Sequence, residues 1–146
     1  YINVMNGELD VHKGYMGKFA VTQEEIDAMK PSLDNLSYTS YMIRVAYDES
    51  EVEVLAAVLS CAYSYEVIAK KIVANRPESV DDPFYGDWIR SYASDEYAAG
   101  NVILIETLDR LSAHYTEEQL RHLEDIFIAC SRYEMAFWQM AWEIRL

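Results

Sequence analysis

Two side chains in this sequence have the chemistry of a covalent catalyst and its acid, and both stand inside apolar helical patterns. Cys61 lies mid-way along Val54, Val58, Cys61, Tyr65, Ile68 and Ile72, whose alternating steps of four and three place them on one helix face. A cysteine in such a stripe is ordinarily a small buried hydrophobe, and spacing alone favours that reading. Tyr65, one turn on, carries a hydroxyl that needs a partner when buried and can face the same cavity as the sulfur. Glu134 is the sharper anomaly, because Phe127, Cys130, Glu134, Phe137 and Ala141 form a second stripe with one carboxylate in its middle. An ionised carboxylate is costly to bury unpaired. Either a cation such as an Arg neutralises Glu134, or it takes up a proton and serves as a general acid near neutral pH. Arg132, two residues away, lies on a different helix face and is no obvious partner.

The aromatic composition points to a pocket. Twelve Tyr stand against four Phe, and rings with hydroxyls suit a cavity that stacks a planar ligand and also hydrogen-bonds its edge. Tyrosines at the core boundary would produce the same count. Metal chemistry finds little support: residues three before His12, His114 and His122 are Leu9, Leu111 and Gln119, so no Glu-x-x-His is present, nor is Cys-x-x-Cys or His-Glu-x-x-His. Glu8 and His12, four apart, read as a hydrogen-bonded pair that positions a helix. Gly14-Tyr15-Met16-Gly17 lacks the Lys and the preceding strand of a phosphate loop.

The elements that must position these residues are helices. Thr22-Gln23-Glu24-Glu25, Ser50-Glu51-Val52-Glu53 and Thr116-Glu117-Glu118-Gln119 each match the capping box, in which a hydroxyl and a Glu or Gln three residues on satisfy orphan N–H groups reciprocally. Asp82-Pro83 and Ser94-Asp95-Glu96 add two further helix starts. The expected helices run near 5–19, 23–29, 35–47, 51–74, 83–92, 95–113 and 117–145, with a polar joint over 75–79 and no convincing strand. The last of them is apolar nearly all round from Ile126 to Trp142, the pattern of a central buried helix. The fold class is all-α in a single domain over 1–146, a length that suits one hydrophobic core.

Charge and composition exclude several partners. With 25 Asp plus Glu against 12 Lys plus Arg, the formal charge is −13, and no basic run tracks a phosphate backbone, so neither nucleic acid nor an anionic membrane surface is an expected partner. The uncharged stretch from Val54 to Tyr65 is too short to span a bilayer, which takes about 20 residues. Two cysteines are too few for a disulfide scaffold and no signal segment opens the chain, from which a reducing cytoplasm is expected.

Several motifs in order resemble the thiaminase II (TenA) family: Lys30-Pro31-Ser32 with Tyr38-Thr39-Ser40-Tyr41-Met42, the helix with Cys61-x-x-x-Tyr65-Glu66, Trp88-Ile89-x-x-Tyr92, and above all Ser131-Arg132-Tyr133-Glu134-Met135-Ala136-Phe137-Trp138-x-Met140-Ala141. The resemblance runs from about Glu8 to the C-terminus. It implies the heme-oxygenase-like (TenA-like) helical bundle, a homotetramer, no cofactor, and an aminopyrimidine aminohydrolase of thiamin salvage. The implied substrates are 4-amino-5-aminomethyl-2-methylpyrimidine and, more slowly, thiamin, with the 5-hydroxymethyl pyrimidine as product. Carried over position by position, the resemblance makes Cys61 the nucleophile that adds to the pyrimidine ring and Glu134 the acid that protonates a ring nitrogen. Tyr38 would stack on the pyrimidine, while Tyr65 and Tyr92 would line the pocket and hydrogen-bond near the cysteine. Cys61 also argues for the cysteine-bearing branch of the family.

The same resemblance implies a further N-terminal helical part, carrying an Asp for the aminopyrimidine edge and an aromatic residue beside the cysteine, and nothing before Glu8 plays those roles. Since residue 1 is Tyr and not Met, the chain is expected to be the C-terminal two-thirds of a TenA-like domain; the alternative is a remnant with an open, inactive pocket. Two rival functions stand beside the hydrolase. One is a non-catalytic helical protein that binds a planar ligand or a partner, and the other a haem or quinone-cofactor enzyme on the same bundle, for which His12 is the nearest helical histidine. Cys61 and Glu134 facing one cavity is the feature that discriminates.

Overall fold

The computed structural model describes residues 2–144, with side-chain surroundings described from Glu8 onward. Tyr1 and the expected end of the last helix at Arg145 lie outside the described residues. Helices α1 (Ile2–Lys18) and α2 (Gln23–Ala28) belong to one compact unit that extends to Pro31. A second unit, from Ser32 on, holds α3 (Leu33–Asp48), α4 (Glu51–Asn75), α5 (Gly86–Ala93), α6 (Asp95–Ser112) and α7 (Glu117–Glu143). Among the described residues there is no strand, as the capping and periodicity signals require.

Local chemistry sets most of the boundaries. All three capping boxes form, at Thr22 with Glu25, Ser50 with Glu53 and Thr116 with Gln119. Ser94 caps α6 by accepting from the Tyr97 N–H, and Ser32 caps α3 by accepting from the Asn35 N–H, which starts that helix two residues earlier than its apolar period suggests. The expected start at Asp82-Pro83 is corrected. Asp82 Oδ1 accepts from the N–H groups of Phe84 at 2.8 Å and Tyr85 at 2.7 Å, which closes a turn instead of opening a helix. The polar joint before it winds into a 3-10 helix, Pro77–Asp81, and α5 begins only at Gly86. A Cβ on Gly86 would stand 2.6 Å from the Val80 carbonyl oxygen, so the close approach of the 3-10 helix depends on glycine there. Arg90 donates to the same carbonyl.

Helix α4 is the centre of the second unit, packing against α3, α5, α6, α7 and the 3-10 helix. Its most buried positions are Val52, Glu53, Ala56, Ala57, Leu59, Ser60 and Ala69, mostly small residues that let neighbouring helices come close. Around them gather Tyr38 and Val45 of α3 and Leu123, Ile126 and Cys130 of α7. The expected stripe through Cys61 is half-buried along most of its length, with Ile68 exposed. Among the described residues α4 is also the one helix long and apolar enough, by length and composition, to cross a membrane, a test that a core helix passes as well. A second correction concerns α7. It buries a single row, Leu123, Ile126, Cys130 and Glu134, and leaves Ile128, Met135, Trp138 and Trp142 exposed, Trp142 at 85%. An all-round apolar composition shows that a helix can be buried on every face, not that neighbours are present to cover it.

Candidate active site

Five helices converge on the candidate site, and the central one carries Cys61. α4 presents Cys61 and Tyr65 one turn apart, α3 brings Tyr38, α5 brings Trp88 and Tyr92, α6 brings Tyr97, and α7 brings Tyr133, Glu134 and Trp138. Glu134 is 7% exposed. The Tyr65 hydroxyl donates to its Oε2 at 3.5 Å, the outer edge of hydrogen-bonding reach. Among the described residues no Lys, Arg or His pairs with Glu134, so the cation that would make it a structural ion pair is not supplied.

Tyr38 binds the arrangement together electrostatically. Burial pushes its phenol well above the usual range, and the Glu134 carboxylate and then Cys61 push it further, so both groups lie within reach of one hydroxyl. That hydroxyl is buried and lies close to Glu134, yet makes no hydrogen bond of good geometry. The Tyr38 ring stacks on Tyr133 at 5.7 Å with an interplanar angle of 11°, so one face of the ring assigned to the pyrimidine is already occupied. Tyr133 also meets Tyr41 at 5.3 Å.

The second cysteine differs from the first. Cys130 is fully buried, and its thiol is pushed up to about 11, chiefly by burial, with Glu134 adding to the shift and a hydrogen bond with Ser60 opposing it. Cys61 is half-buried. A buried thiol at that value is inert at neutral pH.

Tyr65 is the hub of an aromatic cluster, with centroid distances of 5.0 Å to Tyr92, 5.8 Å to Trp88 and 5.8 Å to Trp138. The expected pair Tyr65 and Tyr92 is therefore brought together. Trp88, Trp138 and Tyr133 were not singled out as site residues, although each stands in one of the quoted motifs. The four-residue step from Trp88 to Tyr92 was the available signal, since it puts both rings on one face of a helix. Beside the cluster a cleft of about 280 Å³ is lined by Ser64, Ile68, Ser131, Glu134, Met135 and Trp138. A larger hollow of about 360 Å³, bounded by Ala56, Leu108, Leu123, Glu124, Phe127 and Ile128, is mostly apolar, and Cys61 lines neither of the two, so the expected sharing of one cavity by Cys61 and Glu134 is not seen in them. Among the described residues no group of three or more His, Cys, Asp or Glu could hold a metal ion, and His12 is exposed on α1.

Tyr38, Cys61, Tyr65, Tyr92 and Glu134 each stand in one of the motifs that carry the family resemblance. A family model described as TENA/THI-4/PQQC matches residues 1–144. The chain belongs to this family. Aminopyrimidine aminohydrolases from Halalkalibacterium halodurans and Helicobacter pylori are each 39% identical to it, over 97% of this chain and 63% and 64% of their own lengths. The solved structure of a TenA homologue protein from P. horikoshii OT3 superposes with a TM-score of 0.79 at 27% identity, covering 95% of this chain and 63% of that one. The helical arrangement is thus TenA-like, and the chain spans just under two thirds of the length of these relatives.

Proposed function

We propose that this chain is built for the reaction its relatives are named for, hydrolytic loss of ammonia from an aminopyrimidine, with Cys61 as nucleophile and Glu134 as acid. The observation that carries the reading is that the buried Glu134, with no cation beside it among the described residues, and the half-buried Cys61 both lie near enough to the buried Tyr38 hydroxyl to act on it, while Tyr65 joins Glu134 to an aromatic cluster. On 4-amino-5-aminomethyl-2-methylpyrimidine, the Cys61 thiolate adds to a ring carbon while Glu134 gives a proton to a ring nitrogen. The electron pair gained by the ring then expels the 5-aminomethyl nitrogen, an ammonium at neutral pH, as ammonia, breaking the C–N bond. Water adds to the methylene carbon and gives its proton to the ammonia, the thiolate leaves, and the ring proton returns to Glu134. Covalent attachment splits one hard displacement into two easier ones. The net change is amine and water to alcohol and ammonia. Thiamin, whose thiazolium takes the place of the amine, is the second substrate. Tyr65 and Tyr92 wall the pocket, and the free face of Tyr38 stacks on the ring.

The test is ammonia release from the aminomethyl pyrimidine in single turnover, with mass spectrometry of quenched samples. Stoichiometric ammonia and a transient pyrimidine adduct on the Cys61 peptide are expected. Tight pyrimidine binding with neither adduct nor ammonia would make this a binding protein of the same fold.

A cytoplasmic setting and a closed homo-oligomer, a tetramer by the family resemblance, complete the reading. The exposed apolar side chains Ile128, Met135 and Trp142 on α7 and Val102 and Ile103 on α6 support association. Light scattering at micromolar concentration should give a multiple of 16.9 kDa; a clean monomer would count against it.

A further inference from the structure

The mechanism above leaves unused a buried amide that α6 carries into its packing against α4. Asn101 is 3% exposed, and its Nδ2 donates twice, to Glu66 Oε2 at 2.6 Å and to the Ala62 carbonyl at 3.2 Å. Glu66 Oε1 accepts from Lys70 at 2.7 Å, so both carboxylate oxygens are engaged. The Asn101 hydrogen bond first, and Lys70 second, hold Glu66 below the usual carboxylate range.

The two acceptors bracket the turn that does the chemistry. Ala62 directly follows Cys61, and Glu66 directly follows Tyr65. An apolar side chain at 101 would fill the same space without fixing α4 along its axis. Two directional hydrogen bonds set axial register, and a slip of one residue would move the turn by about 1.5 Å and rotate it by roughly 100°. α6 touches the same site one turn earlier, where the Tyr97 ring meets Tyr92 edge-on at 4.8 Å and Tyr92 in turn meets Tyr65. We infer that Asn101 is a positioning residue: its amide clamps the α4 turn 61–66 to α6 and thereby aims Cys61 and Tyr65 at Glu134. The inference rests on Cys61 being the nucleophile.

Two variants test it. Asn101→Ala removes both donors, and because alanine is the stronger helix former the fold stays measurable. The double exchange Asn101→Asp with Glu66→Gln returns one side-chain hydrogen bond with donor and acceptor reversed. For each, the pH profile of Cys61 alkylation is measured by peptide mapping, together with kcat and KM for ammonia release per folded molecule.

In Asn101→Ala, kcat should fall about 10- to 100-fold with KM changed less than about threefold, because misplacement and not lost binding is the defect. Cys61 alkylation at pH 7 should differ from the parent by about fivefold or more. The double exchange should recover part of both, since it restores the contact at 66 but leaves the Ala62 carbonyl without its donor. An Asn101→Ala protein that is less stable, yet keeps the parental alkylation profile and the parental kcat in its folded fraction, overturns the inference. If the parent itself releases no ammonia, the aminohydrolase reading fails separately, and the alkylation profile still decides the role of Asn101.

Discussion

Glu134→Gln is expected to lower turnover by roughly 10²–10⁴-fold while leaving stability unchanged or raised. The amide keeps the shape of the carboxyl group and can still accept from the Tyr65 hydroxyl, but it has no acidic proton to give the ring. Stability should hold because the carboxylate is buried with no cation beside it among the described residues. Replacing a buried carboxyl group held in that way by a neutral isostere of the same shape relieves a local cost, the usual trade between site and scaffold. The opposite arrangement predicts the opposite result: half of a buried ion pair, when neutralised, strands its partner and costs about 3–5 kcal/mol. Denaturation midpoints measured beside single-turnover rates separate the two. A strongly destabilised Glu134→Gln whose folded fraction turns over at the parental rate would remove Glu134 from the mechanism.

The two cysteines should differ in alkylation rate by at least about 10²-fold at neutral pH in the native protein. With its thiol pushed up to about 11 and no exposed surface, Cys130 is about one part in ten thousand thiolate at pH 7, and even that fraction is out of reach of reagent. It should label only when the helices open. Cys61 is half-buried and stands at the site, so reagent reaches it without unfolding. Raising the pH toward 9 should speed Cys61 and leave Cys130 slow, because the Cys130 thiolate appears only as the pH approaches 11. Peptide mapping after timed quenching reads both. Equal, slow labelling of the two would return Cys61 to the class of inert core thiols.

Much of this was legible in the sequence, and the parts that were not share a cause. The helix starts at Ser50, Ser94 and Thr116 could be read directly, because a cap is a local contract between residues three apart. The start at Asp82-Pro83 was misread because the same two residues also make a tight turn, and the 3-10 helix before it, packed on Gly86, decides which forms. Burial was harder still. Periodicity shows which residues share a face, and so the stripes through Cys61 and Glu134 emerged, but it does not say which helix is in the middle. That place belongs to α4, whose alanines and Ser60 admit neighbours on several sides, and not to α7. Within the site, Tyr65 and Tyr92 could be paired through motifs. The stacking of Tyr38 on Tyr133, and the amide of Asn101 reaching Glu66, join residues far apart in the chain, and no local pattern announces them.

The separation of the two reacting groups along the chain has a consequence for synthesis. Cys61 belongs to α4 and Glu134 to α7, 73 positions further along the chain. At ribosomal speeds of about 5–20 residues per second, the thiol is made roughly 4–15 s before its acid exists. During that interval the face of α4 that will meet α7, with Ala56, Ala57 and Ser60 on it, has no α7 to cover it. On the proposed mechanism, the nascent chain thus passes through a stage that holds the thiol without its acid. The proposed pair is completed in one step, when α7 docks and brings Glu134 to the Tyr65 hydroxyl.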